Sequence, residues 1–224
     1  MRNFVLASAA LAGIVASANA TFTNYSVVTT AAGALNVYQV YGNFNGATDT
    51  VLNAFQIHNT NGSGLIQGFT HNDALTSGAA STVSGTWNPQ FVLAPGAIDS
   101  FLCIGGGTGF ASGNSTNADP GFGAAGFNQV GLPDTAAAGV AGWFNSNPPN
   151  IQGRVNASGQ VLLGQFVLSS SANMVLFMKV GYNNGIAGSA VQFGEGTFTL
   201  GAIPAPGAVA LLGLAGLAGR RRRA

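Results

Sequence analysis

Charge is what this sequence has least of. Of 224 residues, seven are Lys or Arg and six are Asp or Glu, 6% together, against about 25% in an ordinary soluble domain. Five of the seven basic residues, Arg2 and Arg220 to Arg223, lie at the two extremities. Between residues 21 and 202 only Arg154 and Lys179 stand against Asp49, Asp73, Asp99, Asp119, Asp134 and Glu195. That stretch is net acidic and has no basic patch, which excludes binding to a phosphate backbone and so to nucleic acid. Cysteine is almost missing as well. Cys103 stands alone, so no internal disulfide is available and the core must hold by packing. Its setting, Phe101-Leu102-Cys103-Ile104, reads as that of a buried small hydrophobe. Helical periodicity with caps is absent from the middle of the chain, apart from a weak stretch over Thr135 to Phe144. There is no sustained repeat.

What fills the sequence instead is Gly, Asn, Thr and Ser between short apolar runs. Period-2 alternation marks Leu35 to Phe44, with Leu35, Val37 and Gln39 on one face. Val51 to His58 places Val51, Phe55 and Ile57 together. Asn59 to Gly64 is a turn cluster and Leu65 to Thr70 a return strand. Phe91 to Leu93 and Ser100 to Ile104 follow around Ala94-Pro95-Gly96. The strongest strand signals come last, at Val161 to Leu168, Met174 to Val180 and Gly196 to Leu200, with Gly181 to Ser189 as a loop. Residues 105–131, rich in Gly, Asn and Ser, read as a long surface loop pinned by Phe110, Phe122 and Phe127. About eight short strands with turns between them predict an all-β domain over residues 21–202, an antiparallel β-sandwich of jelly-roll-like or Greek-key type. A membrane β-barrel would need more and longer alternating strands with aromatic girdles.

The two ends carry addresses rather than fold. Arg2, the apolar run Phe4 to Val15 and Ala18-Asn19-Ala20 form the three regions of a signal peptide over residues 1–20, a signal helix cleaved after Ala20. At the other end Pro204-Ala205-Pro206-Gly207 breaks the preceding structure. A short apolar helix follows, containing Ala208, Leu211, Leu212, Leu214 and Leu217, and then Arg220, Arg221, Arg222 and Arg223. The apolar run is shorter than the ~20 residues that span a bilayer core, and four arginines hold its end on the cytoplasmic side.

The order of these parts over residues 203–224 resembles the sorting tail of PEP-CTERM proteins, which bacterial exosortases process. Ala205 stands where that family most often has Glu. The resemblance implies export through the inner membrane, transient membrane retention through the tail, and delivery to the cell envelope, cell surface or extracellular matrix. It implies signal peptidase and an exosortase-like enzyme as processing partners, and an exopolysaccharide setting. It implies no activity for the central domain, because such tails are shared by unrelated domains.

Candidate chemistry in the middle is sparse, and the sequence assigns no catalytic residue, cofactor or metal. His58 and His71 are the only histidines, with Asp73 two residues after the second. A zinc site or triad needs further ligands at motif spacing. Asp119 and Asp134, with Asn117, could hold a structural calcium, though Asp is a favoured turn residue in any case. Glu195 could pair with Asp99 or Asp73 as glycosidase carboxylates, but nothing selects a pair. Gly105-Gly106-Gly107-Thr108-Gly109 lacks the lysine and the helix of a phosphate loop. Trp87, Trp143, Tyr38, Tyr41 and Tyr182 are candidates for stacking on sugars if exposed, and core residues if not. The leading expectation is a non-enzymatic, exported structural or interaction protein. The alternatives are a carbohydrate-binding sandwich and a secreted hydrolase.

Overall fold

The computed structural model describes residues 20–62, 65–71, 87, 98–105, 115–124, 126–128, 131–134 and 141–201. Nine strands form two antiparallel sheets: β1 (Phe22–Ala32), β2 (Leu35–Phe44), β3 (Thr50–Asn59), β4 (Phe101–Leu102), β5 (Thr116–Ala118), β6 (Gly142–Asn145), β7 (Gln160–Ser169), β8 (Met174–Asn183) and β9 (Gln192–Leu200). The first sheet has the order β1-β2-β7-β4, the second β5-β6-β3-β8-β9. One continuous core draws Tyr38, Val40, Leu163 and Phe166 from the first sheet and Ala54, Ile57, Trp143, Leu176, Met178 and Val180 from the second. The architecture is all-β and of sandwich type.

Local chemistry sets the elements. Gly33, at φ 66°, takes the left-handed conformation that lets β1 fold back onto β2. In β2 the core-facing set is Tyr38, Val40 and Phe44, so the face expected from Leu35, Val37 and Gln39 is the outer one. β7 is buried along almost its whole length, as a central strand between β2 and β4 should be. β9 alternates cleanly, burying Gly194, Phe198 and Leu200 and exposing Phe193, Glu195, Thr197 and Thr199. A Cβ at Gly194 would collide with the Phe22 ring from β1, so that glycine is needed for the close approach of the two sheets.

Side chains tie the layers together. Tyr25 donates its hydroxyl to the Met178 carbonyl at 2.9 Å, and Trp143 donates Nε1–H to the Cys103 carbonyl at 2.9 Å. Around the corner between β4 and β5 the buried Gln152 donates to the Ile104 carbonyl at 2.8 Å and to Thr116 Oγ1 at 2.9 Å. Thr116 Oγ1 in turn accepts from the Ile104 amide at 3.0 Å. A buried network that satisfies its backbone groups this way fixes a single arrangement of the corner.

Several expectations change. β1 has no counterpart in the strands read from sequence. β5 lies inside the stretch expected as a surface loop, and Phe122 and Phe127 from that stretch are buried in the core. Their hydrophobic gain outweighs the polarity of the glycine-rich chain around them. Leu65 to Thr70 forms no strand: Ile66 bridges to Leu132 and Thr70 donates its amide to the Val167 carbonyl. Of Ser100 to Ile104 just Phe101–Leu102 is strand, and β8 runs on to Asn183 through part of the expected loop. Gly142–Asn145 is strand where weak helix was expected, because Trp143 is drawn into the core opposite Ala54. Phe91 to Leu93 lies outside the described residues.

Candidate functional site

β3 carries the one departure that creates an unusual surface. Its pairing with β8 shifts between Val51 and Asn53 and again between Phe55 and His58. Gln56 sits at the second shift with φ 53°, a left-handed conformation rare for a non-glycine residue. Each bulge inserts one extra residue and reverses the alternation of the strand. The buried apolar residues of β3 are therefore Val51, Ala54 and Ile57, at intervals of three, instead of Val51, Phe55 and Ile57. Phe55 is turned to the outer face of the second sheet.

That outer face is built in three registered rows. Phe144 of β6, Asn53 of β3, Gly181 of β8 and Phe193 of β9 lie abreast. Next come Gly142, Phe55, Lys179 and Glu195, and then His58, Phe177 and Thr197. Phe55 meets Phe193 edge to face at 5.9 Å, and His58 stacks on Phe177 at 4.7 Å. Phe193 is 66% exposed, the most of any large hydrophobic among the described residues. Gly181 leaves room for Asn53 and Phe193 to lean across it, since a Cβ there would overlap Asn53 Oδ1. Lys179 and Glu195 pair at 2.8 Å, the only salt bridge among the described residues, so the face has no net charge from its lysine and glutamate. The surface offers aromatic faces, amide groups and a neutralised ion pair. It offers no nucleophile–base pair.

The expected site residues are placed differently. Trp87, Trp143, Tyr38 and Tyr182 are all core residues, so they cannot stack on a sugar. Tyr41 is half-buried on the outer face of the first sheet, its hydroxyl donating to Gln39 Oε1 at 3.1 Å. Its ring packs beside Phe101, Cys103 and Leu162, and burial raises the phenol above its ordinary range. The sequence hid the aromatic face because strict alternation puts Phe55 inside. Only the unpaired residues at the bulges reverse that, and Phe193 beside Gly194 gave the sole hint.

The two histidines serve different places. His58 lies on the outer face, while His71 is fully buried, its Nδ1 2.9 Å from the Ser100 carbonyl and its ring edge-on to Trp87 at 4.5 Å. With a carbonyl as partner, Nδ1 carries the proton. Asp73 lies outside the described residues. Asp99 is fully buried, and Glu195 is held by Lys179. Asp119 caps a short turn at Pro120–Phe122, where its Oδ1 accepts from the Gly121 amide at 2.6 Å. Partial burial lifts its carboxyl above the usual range, against the pull of the Gly121, Gly142 and Phe122 amides. Among the described residues no three His, Cys, Asp or Glu side chains group as metal ligands. Gly105 takes φ 70° where a Cβ would strike the Gln152 carbonyl, which makes it a close-approach glycine. Gly106 to Gly109, Ala18 and residues 202–224, which hold the whole sorting motif, lie outside the described residues. Ala20 is buried at the start of the described chain. No helix among the described residues is long and apolar enough to cross a membrane.

A concavity opens at one end of the sheets. Leu52, Pro148, Pro149, Ile151 and Ile186 line a cleft of about 400 Å³. Ile151, a β-branched residue at φ 54°, holds its side chain 53% exposed at the margin. None of the lining residues is titratable, so the cleft can shelter an apolar group but cannot perform acid–base chemistry. No protein-family model, curated protein or solved structure matches the chain.

Proposed function

We propose that this chain is an exported cell-surface or extracellular-matrix protein with a non-enzymatic, structural or interaction role, delivered by a PEP-CTERM-like tail. The observation that carries the reading is the ordered tail: Pro204-Ala205-Pro206-Gly207, a short apolar run, and Arg220 to Arg223, in a chain that opens with a signal-peptide pattern. The strand order supports the finer jelly-roll-like reading. A long hairpin pairing β2 with β7 and β3 with β6, when rolled, brings β8 beside β3 and β4 beside β7, giving β6-β3-β8 against β4-β7-β2.

Intact-mass spectrometry of the protein from its producing cell, in soluble and envelope fractions, tests the reading. The expected species begins at Thr21 and ends near Pro206, with any added mass reporting attached glycan or lipid. A mature mass that still contains Arg220 to Arg223 overturns the sorting assignment.

A carbohydrate-binding role is the second reading, now carried by Phe55, Phe193 and Phe177 rather than by the tryptophans. Flat apolar rings beside amide groups are suited to the apolar faces and hydroxyls of a neutral sugar chain. Affinity electrophoresis through gels containing neutral polysaccharides should show retardation that F55A/F193A abolishes without altering the melting temperature. Equal mobility of wild type and variant in every polysaccharide would remove this reading.

A further inference from the structure

A two-sheet sandwich has four sheet edges, and each presents unpaired backbone N–H and C=O groups to anything that can add a strand. Three of the four here carry a device against that. β4 has two residues, and its Leu102 amide donates to the Trp87 carbonyl, so its outer side is occupied. β5 has only three residues. β9 carries Glu195, 59% exposed at the side chain, with glycines on either side of it at 194 and 196. Short length, an edge charge and glycine each discourage further pairing.

The fourth edge, β1, has none of these. It is the longest strand, 11 residues, reading Phe-Thr-Asn-Tyr-Ser-Val-Val-Thr-Thr-Ala-Ala. It contains no charged residue, proline or glycine, and its β-branched content favours extended pairing. Its ladder with β2 runs without irregularity from Asn24 to Ala32, so no bulge twists the edge away along that length. Thr23, Asn24, Val28, Thr30 and Ala31 are exposed, Val28 at 51%. Neither another described strand nor a charge protects it.

We propose that β1 is an assembly edge, and that its partner is β1 of a second copy of this chain, paired antiparallel about a two-fold axis near Val27. A second copy fits this edge because the strand is self-complementary in that register. Full overlap places Asn24 opposite Thr30, Tyr25 opposite Thr29, Ser26 opposite Val28, and Val27 opposite itself. Even-numbered residues meet even-numbered ones, so each face continues across the junction without the inversion that a one-residue slip would cause. Tyr25 and Val27, which pack against the core of their own sandwich, meet Thr29 and Val27 on the inner side. No pair sets like charges against each other. The contact is isologous and therefore closes as a dimer, joining two four-stranded sheets into one of eight. The protected edges elsewhere stop growth beyond two copies.

The test is sedimentation velocity on the chain as the producing cell processes it, wild type against three double variants. N24K/T30K and N24E/T30E place like charges directly opposite across the proposed junction, twice by symmetry. N24E/T30K places opposite charges there and keeps the wild-type net charge. Positions 24 and 30 are about 20 Å apart within one strand, so they do not compensate each other inside a single copy. Wild type should sediment as a concentration-dependent dimer, N24K/T30K and N24E/T30E as monomers with unchanged circular dichroism, and N24E/T30K as a dimer again. All four share one tail, so association through the tail would leave them alike and would overturn the proposal. A wild type that stays monomeric into the millimolar range overturns it too. Should a like-charge variant fail to fold, hydrogen exchange on wild type decides. Amides in residues 22–32 must gain protection as concentration rises, and unchanged protection refutes the junction.

Discussion

Replacing Trp143 with Phe probes the joint between the two sheets. Trp143 is 1% exposed, sits on β6 opposite Ala54, and donates across the layers to the Cys103 carbonyl. Phe keeps the apolar ring but removes the pyrrole portion, equivalent to two or three buried methylenes at ~0.8 kcal/mol each, or about 2 kcal/mol. The Cys103 carbonyl also loses this donor inside the core, costing roughly 1–3 kcal/mol. Together the change should destabilise the domain by about 3–5 kcal/mol, the range of severe large-to-small core substitutions. In urea, with a slope of about 2 kcal/mol/M, that moves the unfolding midpoint down by roughly 1.5–2.5 M. The fluorescence of the equally buried Trp87 reports the transition in the variant. Phe193→Ala is the control: at 66% exposure its effect should stay within about 0.5 kcal/mol. A W143F midpoint shift below about 0.5 M, at an unchanged slope, would refute the cross-sheet role. So would an equal loss in F193A.

Three further outcomes follow from local geometry. Gln56→Gly should stabilise by up to about 1 kcal/mol, because relief of a left-handed residue, about 1–2 kcal/mol, outweighs the added chain entropy of glycine, about 0.5–1 kcal/mol. A fall in melting temperature would argue against the bulge. The Cys103 thiol, buried and pushed well above its ordinary range by desolvation, should resist Ellman's reagent in native buffer and react fully in guanidinium; native-state labelling would contradict its placement. Asp119→Asn should be more stable than wild type at neutral pH. The carboxyl is harder to ionise in the folded chain than in the unfolded one, so its ionised form subtracts stability. That deficit shrinks as pH falls through the raised pKa and vanishes below about 4, where both states are protonated. Melting curves of the two proteins that stay parallel from pH 7 to 3 would show that burial is not the cause.

Residues 35–44 show how far local pattern reaches. The alternation there marked the strand to its ends, since successive side chains of a pleated chain point to opposite faces. The same rule failed on β3. Two unpaired residues changed the period from two to three and sent Phe55 outward. Backbone bulges leave little trace in residue type when the bulged residue is Gln56 rather than glycine. Residues 116–127 failed for a second reason. Thr116, Phe122 and Phe127 are buried only because Ile104, Gln152 and β6 are brought up to them from elsewhere in the chain.

The sequence by itself settled the class and one exclusion: strands over helices, and no disulfide within the chain. Each depends on composition or on short-range periodicity, and tertiary contacts cannot alter either. Tertiary structure alone decided which aromatics are buried, which face gathers the phenylalanines, and which edge is left without protection. Those depend on register and sheet order, which arise from pairings between residues more than a hundred positions apart, such as Gln39 with Gln165 or Val51 with Tyr182.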